Sequence, residues 1–216
     1  MKSHTWYRSD GSKEGQRIFD EEGYTRSEKE FNPDGSLMLE FLYEYHSNNN
    51  TKSIKAYNPD GLMEAQALYD NHGDLKSRVV YNPDGSLKKQ SFYNDGVEII
   101  WTEFYQNGLK ESQYLYDNDG DKKSWTKYNT DGTIFSLMLF HKNANPKSTT
   151  LYRIDGSMDV QILYNKKGKP TSKTGYYSNG SKKHQELCIE NSNLAHFTSY
   201  YPDGTVKSSK LIEQVG

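Results

Sequence analysis

Short runs in which apolar and polar residues trade places alternate with compact clusters rich in Asn, Asp and Gly, and the clusters return about every twelve residues along the chain. An aromatic residue stands at the entrance of nearly every cluster: Tyr7, Phe19, Phe31, Tyr43, Tyr57, Tyr69, Tyr81, Tyr93, Tyr105, Tyr116, Tyr128, Phe140, Tyr152, Tyr164, Tyr176 and Tyr200, with Cys188 in the one slot that lacks a ring. Fourteen of these seventeen slots are followed three or four residues later by glycine. Between clusters Met158, Val160, Ile162 and Tyr164 fall on one side and Asp159, Gln161 and Leu163 on the other, which is the two-residue period of a strand; Leu37, Leu39, Phe41 and Tyr43 repeat it. About seven residues separate the clusters, enough for a strand and too few for an ordinary helix. The pattern therefore predicts an all-β chain of about 16–17 short strands, with one reversal at each ring-and-glycine mark.

The cluster residues explain why the reversals are so regular. In Asn-Pro-Asp-Gly at 32–35, 58–61 and 82–85, proline presets φ, aspartate suits the next position, and glycine takes the left-handed conformation that closes a type I turn with a bulge. A loop of this kind sets Asn32 opposite Ser36 and Phe31 opposite Leu37, so register is specified locally. The same rule pairs Tyr81 with Leu87, Tyr128 with Ile134, Tyr152 with Met158 and Tyr200 with Val206. Aromatic–aliphatic pairs across strands contribute roughly 0.2–1 kcal/mol each.

Two kinds of turn alternate, giving a true period of about twenty-four residues. One kind always keeps its glycine (Gly11, Gly35, Gly61, Gly85, Gly108, Gly132, Gly156, Gly180, Gly204). The other keeps it at 23, 73, 96, 120 and 168 but substitutes Asn-rich or basic stretches near 46–50, 141–145 and 190–193. In a meander, alternate turns lie on opposite edges, so one edge is standardised and the other variable, a place for specificity. The expected architecture is an elongated antiparallel β-meander over residues 1–216, a single twisted or curved sheet built as one repeat domain with contacts between neighbours. A β-solenoid would need tight corners every four residues or so, which the pattern lacks. The residue before each ring is also often apolar, as at Ile18, Leu42, Leu68, Phe92, Leu115, Leu139, Leu163 and Leu187, and gives both faces some apolar cover near the turns.

Only 33% of residues are hydrophobic and 18 are tyrosine, so the chain cannot fill a broad interior and is expected to spread into a thin sheet. Net charge is −2 with interspersed signs, which does not favour nucleic acid; Lys122, Lys123, Lys166, Lys167, Lys169, Lys182 and Lys183 bias the third quarter basic, as lysines guarding a strand edge do. The N-terminal residues lack an apolar core segment and no stretch approaches membrane length, so neither export nor membrane insertion is expected. A lone cysteine, Cys188, fits a reducing cytoplasm.

Tyr-Asn-Pro-Asp-Gly-Ser-Leu-Lys-Lys at 81–89 and Tyr-Tyr-Pro-Asp-Gly-Thr-Val-Lys at 200–207 resemble MORN-type variant repeats of bacterial antitoxin-like proteins. Tyr69-Asp70 and Tyr116-Asp117 are similar to the tyrosine-aspartate (YD/RHS) repeats of bacterial surface and toxin-shell proteins. The Gly-x-Trp core and extra glycines of standard MORN units are missing. The resemblance implies an all-β repeat scaffold, with protein binding or toxin neutralisation as its function.

Catalytic and metal motifs do not emerge. His4, His46, His72, His141, His184 and His196 follow no ligand spacing, and Asp117–Asp121 lacks the distal glutamate of a calcium loop. The Asp-Gly pairs belong to turn geometry, and the acidic run Glu98, Glu103 and Glu111 reads as solvated strand faces. No cofactor, metal site or catalytic residue is expected. Rings beyond the repeat rule, Tyr45, Trp101, Tyr114, Trp125, Phe135, Tyr177, Phe197 and Tyr201, form the candidate binding set, suited to gripping a protein or, as the alternative, stacking on a glycan of the cell envelope. The repeats at the ends carry no polar caps, so edge-to-edge self-association or a longer array is also expected. Replacing Gly85 with valine puts a β-branched side chain in the left-handed turn position and is expected to cost about 1 kcal/mol or more, read as a lowered melting temperature; an unchanged melting curve would contradict the turn assignment.

Overall fold

In the computed structural model, residues 2–189 and 192–213 are described, and every regular element among them is a strand. The chain divides into two compact units, residues 1–108 and 109–216. The first carries β1 (Lys2–Tyr7), β2 (Lys13–Phe19), β3 (Thr25–Phe31), β4 (Leu37–Tyr45), β5 (Thr51–Tyr57), β6 (Met63–Tyr69), β7 (Leu75–Tyr81), β8 (Leu87–Asn94) and β9 (Val97–Phe104). The second carries β10 (Lys110–Tyr116), β11 (Lys122–Tyr128), β12 (Ile134–Phe140), β13 (Pro146–Tyr152), β14 (Met158–Tyr164), β15 (Pro170–Tyr176), β16 (Lys182–Cys188), β17 (Leu194–Tyr200) and β18 (Val206–Glu213). Within each unit consecutive strands pair antiparallel in chain order, so the all-β antiparallel meander expected from the repeat is the fold. Seventeen reversals delimit eighteen strands, which is why the count exceeds the number of ring slots.

Each reversal is closed by its own side chains. At 32–36 the Gly35 N–H donates to the Asn32 carbonyl at 2.9 Å and the Asn32 N–H to the Ser36 carbonyl at 2.8 Å, with Gly35 at φ +84°. Asp34 then accepts both the N–H of Ser36 (2.9 Å) and its hydroxyl (2.6 Å). The same Asp/Asn-Gly-Ser/Thr clamp recurs from Asp10, Asp84, Asp131, Asp155, Asn179 and Asp203. Where no hydroxyl follows the glycine, the first turn residue takes over: Asp70 accepts the N–H of His72 and Asp74, Asp117 those of Asp119 and Asp121, and Asn165 those of Lys167 and Lys169. Asn58 does so as well, because Leu62 stands where the other Asn-Pro-Asp-Gly turns have serine.

The predicted pairs Phe31 with Leu37, Tyr81 with Leu87, Tyr128 with Ile134, Tyr152 with Met158 and Tyr200 with Val206 are all present. Each is followed by a second irregularity that the alternation did not reveal. Glu30 pairs with Leu39, leaving Met38 as an extra residue, and Asp159 is the extra residue between the Tyr152–Met158 and Leu151–Val160 pairs. Met158 and Leu37 are therefore not in phase with the Val160 and Leu39 sets, as plain alternation implied.

Three turns depart from the rule. β4 is two residues longer than expected, so Tyr45, not Tyr43, ends the strand and pairs with Thr51. Asn94 pairs directly with Val97 around Asp95 (φ 48°) and Gly96 (φ 77°), a two-residue hairpin with both central residues left-handed. That shorter loop shifts the phase by one residue, and Phe104 closes β9 while Tyr105 opens the next turn, accepting the Gly108 N–H at 2.9 Å. At the glycine-less turns, Asn49 (φ 68°) and Ala144 (φ 61°) take the left-handed position. Of the turn expected at 190–193, Glu190 and Asn191 lie outside the described residues.

The sheet of each unit is one layer thick, and among the described residues the buried apolar side chains are only Ala56 and Ala195. Small polar residues are buried instead, including Ser53, Ser124, Ser148 and Ser172, each of which pairs with a leucine on a neighbouring strand. Two glycines outside the turns serve the same layer: an added Cβ at Gly15 would lie 2.1 Å from the Trp6 ring, and at Gly175 2.3 Å from the His184 ring.

Two outcomes follow from the turns. Ala144→Gly removes the strain of a left-handed alanine and is expected to raise stability by roughly 0.5–1 kcal/mol, seen as a higher melting temperature. The turn aspartates hold their carboxyls below the ordinary 3.8, first through the Ser or Thr hydroxyl and then through the backbone N–H; Asp84, which also accepts from Gln106, is brought down to about 2. A carboxyl depressed in the folded state stabilises fully above its unfolded pKa and loses that contribution as pH falls through the folded one. Melting temperature should thus hold down to about pH 5 and fall between about pH 4 and pH 2. Asp84→Asn, which can keep the clamp as Asn179 does, should flatten that fall.

Candidate functional site

The extra rings divide between a face and an edge. From the strand registers, Tyr45 and Trp101 in residues 1–108, and Tyr114, Trp125 and Phe197 in residues 109–216, stand on what we term the ring face of their units. Tyr177 and Tyr201 open turns on the standardised edge, and Phe135 is the extra residue beside the Tyr128–Ile134 pair, 48% exposed. Tyr114 and Trp125 stack on one another, with centroids 5.4 Å apart and planes 5° from parallel; Tyr116 stacks on Tyr114 at 6.2 Å.

Most of these rings already have partners within the sheet. Lys127 Nζ lies 4.7 Å from the centre of Trp125, Lys122 Nζ 5.0 Å from Tyr114, Lys89 Nζ 4.9 Å from Trp101 and Lys207 Nζ 5.5 Å from Tyr201. Phe197 stacks with His184 at 6.0 Å. Tyr45 and Tyr177 fasten strands and turns: the Tyr45 hydroxyl donates to the Thr25 carbonyl at 2.8 Å, and the Tyr177 hydroxyl to the Tyr200 carbonyl at 2.9 Å. Burial pushes the Tyr45 phenol up. The Tyr177 bond belongs to a series in which a long first turn residue reaches the ring residue one repeat ahead: Arg8 to the Phe31 carbonyl, His46 to that of Tyr69 and Arg153 to that of Tyr176.

The opposite face carries a feature that the strand registers assemble. In residues 109–216, Leu115, Leu139, Leu163, Leu187 and Leu211 lie in one row across the strands, each separated from the next by Ser124, Ser148, Ser172 or His196. The serines are buried, whereas the five leucines are 36–52% exposed. Residues 1–108 have the same row in broken form. Ile18, Ser27 and Leu42 align, and so do Ser53, Leu68, Ser77 and Phe92, but the longer β4 puts Glu44 opposite Ser53, where it bonds the serine hydroxyl (3.0 Å) and Lys55 (2.6 Å). Leu115, Leu139 and Leu163 are apolar residues that precede rings and Leu187 precedes Cys188; their twenty-four-residue spacing, which Leu211 continues, was the signal that they share one row.

Charge differs between the units. Residues 1–108 hold 12 basic and 18 acidic side chains, and residues 109–216 hold 15 and 11. In the first unit half of the cations are matched to acids across strands or in turns: Arg17–Glu28 (2.8 Å), Arg26–Asp20 (2.9 Å), Lys29–Glu40 (3.3 Å), Lys55–Glu44 (2.6 Å), Lys76–Asp70 (3.0 Å) and Lys89–Glu103 (3.3 Å). In the second, Arg153–Asp159 is the ion pair found among the described residues. Two hollows accompany these patterns. One, of about 250 Å³, sits over Ala56, Ala65 and Ala67 between Phe41 and Arg78; the other, of about 430 Å³, lies on the variable edge of the second unit between Leu115, Leu139, a set of lysines and the carboxylates of Asp117 and Asp121.

Among the described residues no group of three or more His, Cys, Asp or Glu side chains gathers as a metal site would. Every carboxyl with a displaced pKa is displaced downward, by turn clamps or by neighbouring lysines, as at Asp70, brought to about 2 chiefly by Lys76, and at Glu44, lowered first by Lys55. Among the described residues no helix is long and apolar enough to cross a membrane.

No protein-family model and no curated protein matches the chain. Solved structures similar to it include that of accessory secretory protein 1,2 and 3 in Streptococcus pneumoniae, 14% identical over 46% of this chain and 18% of that one, with a TM-score of 0.33. The GtfA/B complex bound to UDP and GlcNAc is 14% identical over 59% and 22%, with a TM-score of 0.31, and TcdB2-TccC3 is 11% identical over 99% and 14%, with a TM-score of 0.29. The chain spans less than a quarter of the length of each of these solved chains.

Proposed function

We propose that the chain is a non-catalytic β-repeat scaffold that binds another protein through the leucine face of residues 109–216. The observation that carries this reading is the unbroken row from Leu115 to Leu211, apolar and open to solvent at every second strand. A regular exposed apolar row is costly to leave in water and marks a surface that another molecule covers. Nine strands at ~4.8 Å spacing and ~20 Å length offer a face of roughly 800 Å², the share that one partner contributes to a standard protein–protein interface. An antitoxin- or immunity-type role in the cytoplasm is the finer form of this reading and rests on the resemblance of the units at 81–89 and 200–207.

The Tyr114–Trp125 stack favours a second reading, a glycan-binding module on the ring face. It ranks behind the first because Trp125 and Trp101 already carry lysine ammonium groups against their rings.

A photo-crosslinking amino acid placed at Leu139 or Leu163, and at Lys173 on the ring face as control, tests the proposal in the native cell. A single protein captured from the leucine positions and not from position 173 is expected. With that partner purified, Leu163→Lys should weaken binding by tenfold or more, as loss of a central apolar anchor does, without changing the melting curve. No capture from the leucine face, together with clear retention on a glycan array, would favour the second reading and overturn the first.

A further inference from the structure

We propose that the variable edge of residues 109–216 holds an acidic segment in the polyproline II conformation, with an apolar side chain at every third residue. The proposal rests on the protein-binding reading and names the chemistry of the segment that the leucine face would receive.

Unpaired cations lie beside the row. After two of the variable-edge turns in residues 1–108 the extra residue is a cation held by the first residue of that turn, Arg26 by Asp20 and Lys76 by Asp70, whereas Lys52, after the turn that His46 opens, has no such acid. The corresponding positions in residues 109–216 do not match up. Asp117 turns one oxygen to the N–H groups of Asp119 and Asp121 and makes no ion pair with Lys123 within 4.0 Å, and His141 stands where an acid would have met Lys147. Lys123, Lys142 and Lys147 thus rim the 430 Å³ hollow whose apolar walls are Leu115, Leu139 and Phe140; Asp117 and Asp121 also line it, as does Lys122, whose ammonium group lies over Tyr114. The next turn extends the strip with Lys166, Lys167 and Lys169, and it is tied to its neighbour because Asn143 and Asn145 both donate to the Lys166 carbonyl, at 2.7 and 2.8 Å.

Spacing selects the conformation of the occupant. Leucines two strands apart repeat every ~9.6 Å. Polyproline II advances ~3.1 Å per residue with three residues per turn, so every third side chain returns to the same side after ~9.3 Å. An extended β-segment advances ~10 Å in three residues but turns its third side chain to the opposite face. An α-helix needs between six and seven residues to cover ~9.6 Å, which leaves successive side chains well off one line. Only the first geometry keeps apolar side chains over Leu115, Leu139 and Leu163 while presenting carboxylates to the lysines of each turn. Charge complementarity selects the acid, and the leucine floor selects an amphipathic segment over a bare polyanion.

The test uses the full chain and a labelled peptide of five Leu-Pro-Glu triplets, followed by fluorescence anisotropy. Saturable binding is expected that weakens with rising salt, and that is at least tenfold tighter than binding of a Leu-Pro-Lys peptide or of a peptide with the same composition but leucine at alternate positions. Lys142→Glu with Lys147→Glu, and separately Leu139→Ser, should each lower affinity about tenfold while the melting curve holds. Equal affinity for the alternate-spacing peptide, tighter binding of a single-stranded oligonucleotide, or indifference to the charge reversal would each overturn the proposal. Should crosslinking map a partner to Leu139 and Leu163 while the peptide fails to bind, the scaffold reading stands and this inference falls; should the peptide bind while crosslinking captures nothing, the edge chemistry stands and the scaffold reading falls.

Discussion

With both of its faces open to water, a sheet one layer thick cannot be held by a buried core, so each strand depends on the two beside it and on the turns that set their register. This is the constraint behind the rest of the structure. Among the described residues Ala56 and Ala195 are the buried apolar side chains, and no arithmetic of hydrophobic burial could order strands on those two alone. Order comes from closing each hairpin tightly. The aspartate that receives both the hydroxyl and the N–H of the residue after glycine, as at Asp34 and Ser36, leaves the next strand one register. Turns on one edge are then fastened to each other by bonds such as that from the Tyr177 hydroxyl to the Tyr200 carbonyl, which makes the repeat a unit of two strands rather than one.

The same constraint accounts for where side chains lie. Without a second layer, large residues stand beside small ones in the plane: leucines alternate with buried serines, Trp6 lies on Gly15 and His184 on Gly175. Lysines settle on aromatic rings, as Lys127 does on Trp125. Such covering protects the small residue but leaves the outer side of the large one in solvent. A leucine row exposed along one face is therefore a direct consequence of the architecture, and its continuity in residues 109–216 depends on equal strand lengths there. In residues 1–108 two additional residues in β4 bring Glu44 and Lys55 into the row, and the apolar line ends at them.

Much of the fold was legible because its determinants are local. Asn-Pro-Asp-Gly followed by serine carries its own closure, and the ring-to-aliphatic pairs across each turn follow from loop length without reference to the rest of the chain. The extra residue after each pair was not legible, since Met38, Asp159 and Lys123 share no side-chain type, and a bulge is defined by the partner strand. Nor was the exchange of roles between Tyr43 and Tyr45, because either ring satisfies the repeat and only the pairing with Thr51 distinguishes them. The candidate site was read through its rings, which the structure largely engages within the sheet. The leucines were visible as an apolar position before each ring, but not as a row.

The amino-acid sequence by itself determined the reversal points, the antiparallel order and the left-handed glycines, because a turn's conformation is chosen by the four or five residues inside it. The tertiary structure alone decided which leucines stand in line, which lysines lack an acid beside them and which rings are already covered. Those properties accumulate register over many strands, and a single bulge or a two-residue extension displaces everything beyond it.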